Sequence, residues 1–186
     1  MSHSQLRPHE YLAATPPVVP AHTTVTAEEF RGMMRCFPTG VSVVTTIDEH
    51  GRPRGMTCTS LTSVTLSPPT VLVCLNRQSG TSRAVHHHSA FAVNLLHERA
   101  GETARLFAGD HPDRFGRLSW HHSRILNVPL LGEDAFTVAV CSVRDSTPMG
   151  DHDVIFGRVH AIEEHDDSPL LHGMREFRSW PASPPE

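Results

Sequence analysis

Short runs of β-branched and apolar residues recur along most of the chain, and few of them are long enough for a helix. The first run, 41–47, reads Val-Ser-Val-Val-Thr-Thr-Ile, and the following residues 48–53 include Gly51, which is typical of a hairpin turn. The same kind of pattern predicts further strands at 56–60, 63–66, 70–75, 90–96, 136–144 and 153–163. The chain therefore has the pattern of a mainly β protein.

Helical periodicity is confined to a few segments. Thr26 and Glu29 have the spacing of a capping box, and an apolar stripe at helical spacing follows, made of Phe30, Met33, Met34 and Phe37. We predict a helix over 27–37, ended by Pro38, whose stripe packs in the core. Two further helices fit at 81–87 and 98–108.

Many short strands with few helices favour a closed antiparallel barrel over a doubly wound sheet, which needs strict alternation of strands and helices. The chain of 186 residues is long enough for one domain with one core. Its first residues are rich in proline and lack apolar periodicity, so they are expected to be disordered. The predicted divisions are a Pro-rich N-terminal tail at 1–24, one domain at 25–178 and a C-terminal tail at 179–186.

Charge and hydropathy exclude several classes of function. Lys and Arg number 16 against 20 Asp and Glu, which gives a net charge of −4 with histidine neutral. No stretch concentrates basic residues, so binding to nucleic acid or to an anionic membrane is not expected. The longest apolar runs are strand-sized and the N-terminus does not resemble a signal peptide, which predicts a soluble, cytoplasmic protein.

Cysteine and histidine show no metal-binding spacing. Cys36, Cys58, Cys74 and Cys141 are widely separated in apolar stretches, as expected for reduced structural thiols. The 15 histidines include clusters at 86–88 and 121–122, but no Cys-x-x-Cys or His-Glu-x-x-His spacing accompanies them. We therefore expect loop histidines and no metal.

The familiar nucleotide-binding fingerprints, Gly-x-Gly-x-x-Gly and Gly-x-x-x-x-Gly-Lys-Ser/Thr, are absent. Two polar segments, 56–63 and 76–83, nevertheless carry hydroxyls and main-chain N–H groups that suit phosphate oxygens. A helix is predicted to begin near Thr81, and its positive end would favour an anion with Arg83 as counter-charge. From the residues alone, strand threonines and an N-cap serine are the simpler interpretation.

A Gly-Asp-His turn at 150–152 precedes a predicted strand, where it could present a histidine to a ligand or be an ordinary solvated turn. Together with several other segments, this turn matches in order and spacing the flavin reductase-like split-barrel family of two-component monooxygenase systems. The resemblance spans about residues 27–175. Its segments are Phe30-Arg31-x-x-Met34, Phe37 to Val41, Gly55 to Ser60, Ser63 to Pro69, Asn76-x-x-Ser79, Phe91 to Leu96, Phe107-Ala108 and Gly150-Asp151-His152.

The resemblance implies a mainly β Greek-key split barrel that forms a homodimer with flavin near the subunit interface. It implies an NAD(P)H:flavin oxidoreductase that reduces FMN or FAD by hydride transfer from NADH or NADPH, and that supplies a partner flavin-dependent monooxygenase. The nucleotides carry this chemistry, so no catalytic carboxylate pair or Ser-His-Asp pattern is needed. The sequence does not choose between FMN and FAD or between NADH and NADPH.

Carried over position by position, the family's sites fall on several segments. The walls and main-chain donors around the flavin ring and ribityl chain correspond to Pro38, Thr39, Gly40, Val41, Thr57, Cys58, Thr59, Ser60 and Ser63. The neighbourhood of the flavin phosphate corresponds to Asn76, Ser79, Thr81, Ser82 and Arg83, and Phe107 joins the flavin-binding set. The nicotinamide side corresponds to Gly150, Asp151 and His152, with His152 as the catalytic residue.

This sequence departs from the family pattern at a few of these positions. Cys58 and Thr59 lie in the flavin segment, and Thr65 stands where serine is frequent, which affects the expected hydrogen bonds. Phe177 stands where tyrosine is frequent, which affects an expected dimer contact. Two alternatives stay open: a non-catalytic flavin-binding sensor or carrier, and an enzyme that uses bound flavin on an organic substrate, as pyridoxamine phosphate oxidases do.

Overall fold

The computed structural model describes residues 24–180. The predicted N-terminal tail, apart from Thr24, and most of the predicted C-terminal tail lie outside the described residues. The chain divides into two compact units, residues 1–34 and 35–186. Within the described residues, no helix is long and apolar enough to cross a membrane.

Helix α1 (Ala27–Arg35) begins at the predicted capping box. The Thr26 N–H donates to Glu29 Oε2 over 2.8 Å, and the Glu29 N–H donates to Thr26 Oγ1 over 3.2 Å. The helix ends before Phe37 because the residue that precedes a proline disfavours helical backbone angles. None of its residues is buried, so the prediction that its apolar stripe packs in the core is wrong.

The remaining described residues form an antiparallel β structure with two short helices. The strands are β1 (Thr39–Gly40), β2 (Ser42–Ile47), β3 (Pro53–Cys58), β4 (Thr62–Leu66), β5 (Pro69–Asn76), β6 (Ala90–Leu96), β7 (His121–His122), β8 (Pro129–Leu130), β9 (Ala135–Met149), β10 (His152–Glu164), β11 (Leu170–Gly173) and β12 (Glu176–Ser179). The helices are α2 (Gly80–His88) and α3 (Gly101–Ala108), followed by a 3-10 turn at Phe115–Arg117.

The main sheet has seven strands in the order β3-β2-β6-β9-β10-β5-β4, with a second sheet β1-β11-β12 and a small pair β7-β8. Its edge strands β3 and β4 are consecutive in the chain but do not pair, so the closed barrel predicted from the strand pattern is wrong and the sheet stays open. Ser60, in the link between them, is bound to β5: its Oγ accepts from the Cys74 N–H at 2.9 Å and donates to the Cys74 carbonyl at 3.2 Å.

The core lies on both sides of strands β2 and β6, whose residues are almost all buried. Asn94 is a buried polar residue with satisfied hydrogen bonds: its Nδ2 donates to the Val43 carbonyl at 2.9 Å, and its Oδ1 accepts from the Leu131 N–H at 2.9 Å. At Gly157 a Cβ would lie 2.4 Å from the Phe91 ring, so only glycine lets β10 approach that ring.

Candidate functional site

The loop from β5 into α2 forms the best-defined candidate for anion binding. Asn76 Oδ1 accepts from the Gln78 N–H at 2.8 Å, which shapes the turn, and Ser79 caps the helix by accepting from the Ser82 N–H at 3.0 Å. The N–H groups of Gly80 and Thr81 belong to the first helical turn, which has no intrahelical acceptors for them. The loop therefore offers donors at the positive end of a helix dipole.

This loop lines a cleft of about 880 Å³, which we call cleft 1. Five of the residues predicted to bind flavin border it, namely Asn76, Ser79, Thr81, Arg83 and Phe107. The Arg83 guanidinium donates to the Gln78 carbonyl at 2.9 Å, which holds it beside the loop. Phe107 is buried, and a Cβ on Gly55 would lie 2.9 Å from its ring, so Phe107 packs beneath strand β3.

Three further arginines that were not predicted from the sequence border cleft 1: Arg52, Arg54 and Arg114. The Arg114 guanidinium donates to the carbonyls of Gly55 at 2.8 Å and Gly109 at 2.5 Å, and its buried Nε has no hydrogen-bond partner among the described residues. Arg114 thus joins strand β3 to the end of α3. Arg52 and Arg54 are paired with Asp48, and Arg114 lies 3.7 Å from Asp110, so carboxylates neutralise part of this positive charge.

The side chains of the predicted segment 57–60 are mostly engaged within the fold. The Thr57 hydroxyl donates to the Ala104 carbonyl at 2.6 Å, and the Cys58 thiol is buried 3.1 Å from Ser60 Oγ. Burial raises the pKa of the Cys58 thiol despite that hydroxyl. Thr59 is exposed. Since β3 is an edge strand, main-chain groups of this segment stay free of sheet pairing on one side.

None of the predicted flavin-ring residues lines cleft 1, those of segment 57–60 included. Thr39 and Gly40 form β1, which pairs with β11, and the buried Val41 donates its N–H to the Leu170 carbonyl at 3.0 Å. Pro38 precedes this strand, and Ser63 lies on the exposed edge strand β4. One chain therefore does not bring these residues together with the α2 loop in one cleft.

The Gly150-Asp151-His152 turn joins β9 to β10, with Gly150 at a positive φ of 60°. It lies against the α2 loop, because the Arg77 N–H donates to the Asp151 carbonyl at 3.0 Å. His152 Nδ1 lies 2.8 Å from Asp151 Oδ1, and this hydrogen bond lowers the pKa of Asp151. A carboxylate only accepts, so Nδ1 is the donor and Nε2 is left for a ligand.

A second cleft of about 900 Å³, cleft 2, opens beside this turn. It shares Gln78 with cleft 1, so the two clefts lie on either side of the loop that precedes α2. Its other lining residues are Arg77, His86, Ser146, Pro148, Gly150, Asp151 and Asp153. Among the residues that the structure describes, no group of three His, Cys, Asp or Glu side chains is placed to hold a metal ion.

The sequence of the chain matches a known protein family. The family model described as flavin reductase like domain matches residues 34–181. The chain belongs to the flavin reductase-like family. This flavin reductase-like protein is 55% identical to the flavin reductase (NADPH) of Lentzea aerocolonigenes, over 84% of this chain and 91% of that protein.

Two solved structures are similar to most of the flavin reductase-like chain. A nitrilotriacetate monooxygenase component B homologue from Mycobacterium thermoresistibile is 32% identical with a TM-score of 0.78, over 86% of this chain and 90% of that one. The NADH:FAD oxidoreductase SgcE6 of Streptomyces globisporus C-1027, in complex with NAD and FAD fragments, is 31% identical with a TM-score of 0.77, over 83% and 92%. The predicted mainly β split-barrel fold is thereby confirmed.

Proposed function

We propose that this chain is an NAD(P)H-dependent flavin reductase that reduces FMN or FAD and supplies the reduced flavin to a partner flavin-dependent monooxygenase. The observation that carries the proposal is the contact between the α2 loop and the Gly-Asp-His turn, Arg77 N–H to Asp151 carbonyl at 3.0 Å, which sets two clefts side by side. The named relatives, a flavin reductase (NADPH) and an NADH:FAD oxidoreductase, support the same reaction.

Cleft 1 fits the phosphate side of a flavin nucleotide. The capped first turn of α2 supplies main-chain donors, and Arg83 and Arg114 supply positive charge on the same cleft. The predicted ring contacts from Pro38 to Val41 and from Thr57 to Ser63 stay proposals. Because Pro38 to Val41 and Ser63 lie outside cleft 1, we infer that a second copy of the chain contributes part of the flavin site.

Cleft 2 fits the nicotinamide. When bound, the nicotinamide and the flavin themselves supply the hydride donor and acceptor. His152 positions the nicotinamide: its Nδ1 is fixed by Asp151, so Nε2 can accept a hydrogen bond from the carboxamide. The chain's task is to hold two flat rings at the correct distance, and no side chain has to form a covalent bond.

The proposed reaction is tested by NADH and NADPH oxidation with FMN, FAD or riboflavin in turn. We expect steady oxidation that requires added flavin and reduced flavin that a monooxygenase accepts. Tight flavin binding without nicotinamide oxidation would instead indicate the sensor or carrier alternative. Oxidation coupled to an organic substrate at a bound flavin would indicate the third alternative.

We also propose a homodimer. Several apolar side chains of the described residues are exposed, including Phe30, Met33 and Phe37 near the N-terminus and Val64 and Leu66 on edge strand β4. An edge strand with exposed apolar residues favours pairing with another surface. Sedimentation equilibrium tests this: a dimer is expected, and a fully active monomer would contradict both the dimer and the shared flavin site.

A further inference from the structure

Asp153 is a buried carboxylate to which the reaction proposed above gives no role. It follows His152 as the second residue of β10, and it is 7% exposed. Neighbouring side chains of a strand point to opposite faces, so Asp153 projects away from His152 and toward α2. Its role is not visible in the sequence, because one aspartate at the start of a strand carries no local signal.

Three side chains from two other segments hold this carboxylate. The Ser82 hydroxyl donates to Asp153 Oδ2 at 2.9 Å, and His86 Nε2 lies 3.1 Å from the same oxygen. Arg77 Nε lies 3.3 Å from Oδ1. Burial alone would raise the pKa of Asp153, but the His86 and Ser82 hydrogen bonds and the charges of His86 and Arg77 hold it below its usual value.

These contacts link the candidate phosphate site to the candidate nicotinamide site. Ser82 donates its main-chain N–H to the Ser79 hydroxyl, the cap of α2, and its own hydroxyl to Asp153. Asp153 is joined directly by the chain to His152. One path from the first turn of α2 to His152 thus runs through this buried side chain, in addition to the main-chain hydrogen bond from Arg77 to Asp151.

We propose that Asp153 is a positioning residue that holds the Gly-Asp-His turn at a fixed place relative to the first turn of α2. In this role Asp153 acts through the turn, although it also lines cleft 2. A flavin held in cleft 1 and a nicotinamide held in cleft 2 then meet in the orientation that hydride transfer needs, and a misplacement of about 1 Å can slow such a step by about a hundredfold. This inference rests on the proposed flavin reductase function.

The test compares Asp153→Asn with a matched control, Glu163→Gln, which neutralises an exposed carboxylate on the same strand. The asparagine amide has the same shape as the carboxylate. Its NH2 group, however, is a donor and would face the donors that now bind Asp153. In stopped-flow reduction with NADPH and FMN, we expect the limiting rate of Asp153→Asn to fall about tenfold or more while the flavin Kd changes by less than about threefold. The long-wavelength absorbance of the stacked nicotinamide–flavin pair should weaken in parallel. Glu163→Gln should match the wild type.

A double variant separates positioning from general stability. If Asp153 acts through the turn, adding Asp153→Asn to His152→Ala should slow reduction by less than about twofold further, because both changes remove the same placement. Ser82→Ala, a milder change, should slow reduction by about two- to fivefold and show the same non-additivity, which keeps the test valid if Asp153→Asn fails to fold.

Other outcomes overturn the inference. A lowered Tm with an unchanged limiting rate would make Asp153 a purely structural residue. Additive effects of Asp153→Asn and His152→Ala on the rate of reduction would show that Asp153 does not act through His152. A wild type that binds flavin but oxidises neither NADH nor NADPH would instead overturn the proposed function, so the two failures are distinguishable.

Discussion

Asn76 and His152 are cross-strand partners at the end of the β5–β10 ladder. Directly opposed residues of an antiparallel pair lie about 5 Å apart, so the start of the α2 loop and the histidine of the Gly-Asp-His turn are neighbours. Asn76 borders cleft 1 and the 150–151 part of the turn borders cleft 2, while His152 itself lines neither cleft. The proposed phosphate and nicotinamide sites therefore adjoin at this residue pair.

The first prediction concerns His152. His152→Ala should raise the KM for the nicotinamide and slow hydride transfer by about ten- to a hundredfold, or about 1.4 to 2.7 kcal/mol, because the nicotinamide loses the group that positions it. The flavin Kd should barely change, since the phosphate donors lie on the α2 loop. Stopped-flow reduction and a flavin titration on the same variant measure both quantities.

Two results would contradict this assignment. Normal reduction with damaged flavin binding would move His152 to the flavin site, and no effect on either would make the turn an ordinary solvated loop. Asp151→Asn is an informative companion, since it weakens the hydrogen bond at His152 Nδ1 and leaves the imidazole in place. Asp151→Asn should raise the KM for the nicotinamide and slow hydride transfer, as His152→Ala does, but by smaller factors.

The second prediction concerns Arg83 at the first turn of α2. Arg83→Ala should weaken FMN binding by about 1 to 3 kcal/mol more than riboflavin binding, because only FMN carries the phosphate that gains from the charge. Fluorescence titration of both flavins measures the difference. Arg124→Ala, which removes an exposed arginine that borders neither cleft, is the control and should change neither affinity. Equal weakening of both flavins would remove Arg83 from the phosphate site.

Local signals explain which parts of the fold could be predicted. Strand 90–96 is predicted with the observed bounds, because an apolar run, here interrupted only by Asn94, marks a strand buried on both faces. Strand β9 extends to Met149, beyond the predicted 136–144, since its polar end is held by pairing with β10 and not by its own propensity. The two-residue strands β1, β7 and β8 are too short to leave any periodic pattern.

In the candidate site, too, residues with a local sequence signal could be predicted and residues defined by distant contacts could not. Ser79 and Arg83 could be found because an N-cap and a nearby charge are local features. Arg114 and Asp153 could not, because each acquires its role from distant partners: Arg114 reaches Gly55, 59 residues away, and Asp153 reaches Ser82, 71 residues away. The spacing of residues in the chain carries no record of such contacts.

The third prediction concerns thiol reactivity. Cys58 and Cys141 are buried, and burial raises the pKa of the Cys141 thiol to about 12. Since the thiolate is the reactive form, neither should be alkylated in the folded protein at about pH 8, and both should react after unfolding in denaturant. Mass mapping of labelled peptides measures this. Rapid labelling of Cys141 while the circular dichroism spectrum stays native would contradict the burial.

The last prediction concerns Asp48, whose side chain organises the turn between β2 and β3. It accepts from the N–H groups of His50 and Arg52, each at 2.9 Å, and from the Arg54 guanidinium at 2.7 Å. Burial alone would raise its pKa, but these hydrogen bonds and the charge of Arg52 hold the pKa well below its ordinary range. A carboxylate that is this well satisfied stabilises the folded state in its charged form.

The sign of the pH effect follows from this lowered pKa. The stabilisation is fully present above the unfolded value of about 3.9 and is lost as the pH falls from there through the folded pKa. Asp48→Asn should lower the free energy of unfolding by about 1 to 3 kcal/mol at about pH 7 and should flatten its decline in acid. Urea unfolding at about pH 7 and about pH 3 measures both effects. Glu49→Gln, at the exposed neighbouring carboxylate, is the control and should leave the acid dependence of the free energy of unfolding unchanged. If Asp48→Asn lost as much of this free energy between the two pH values as the wild type does, the role given to Asp48 would be contradicted.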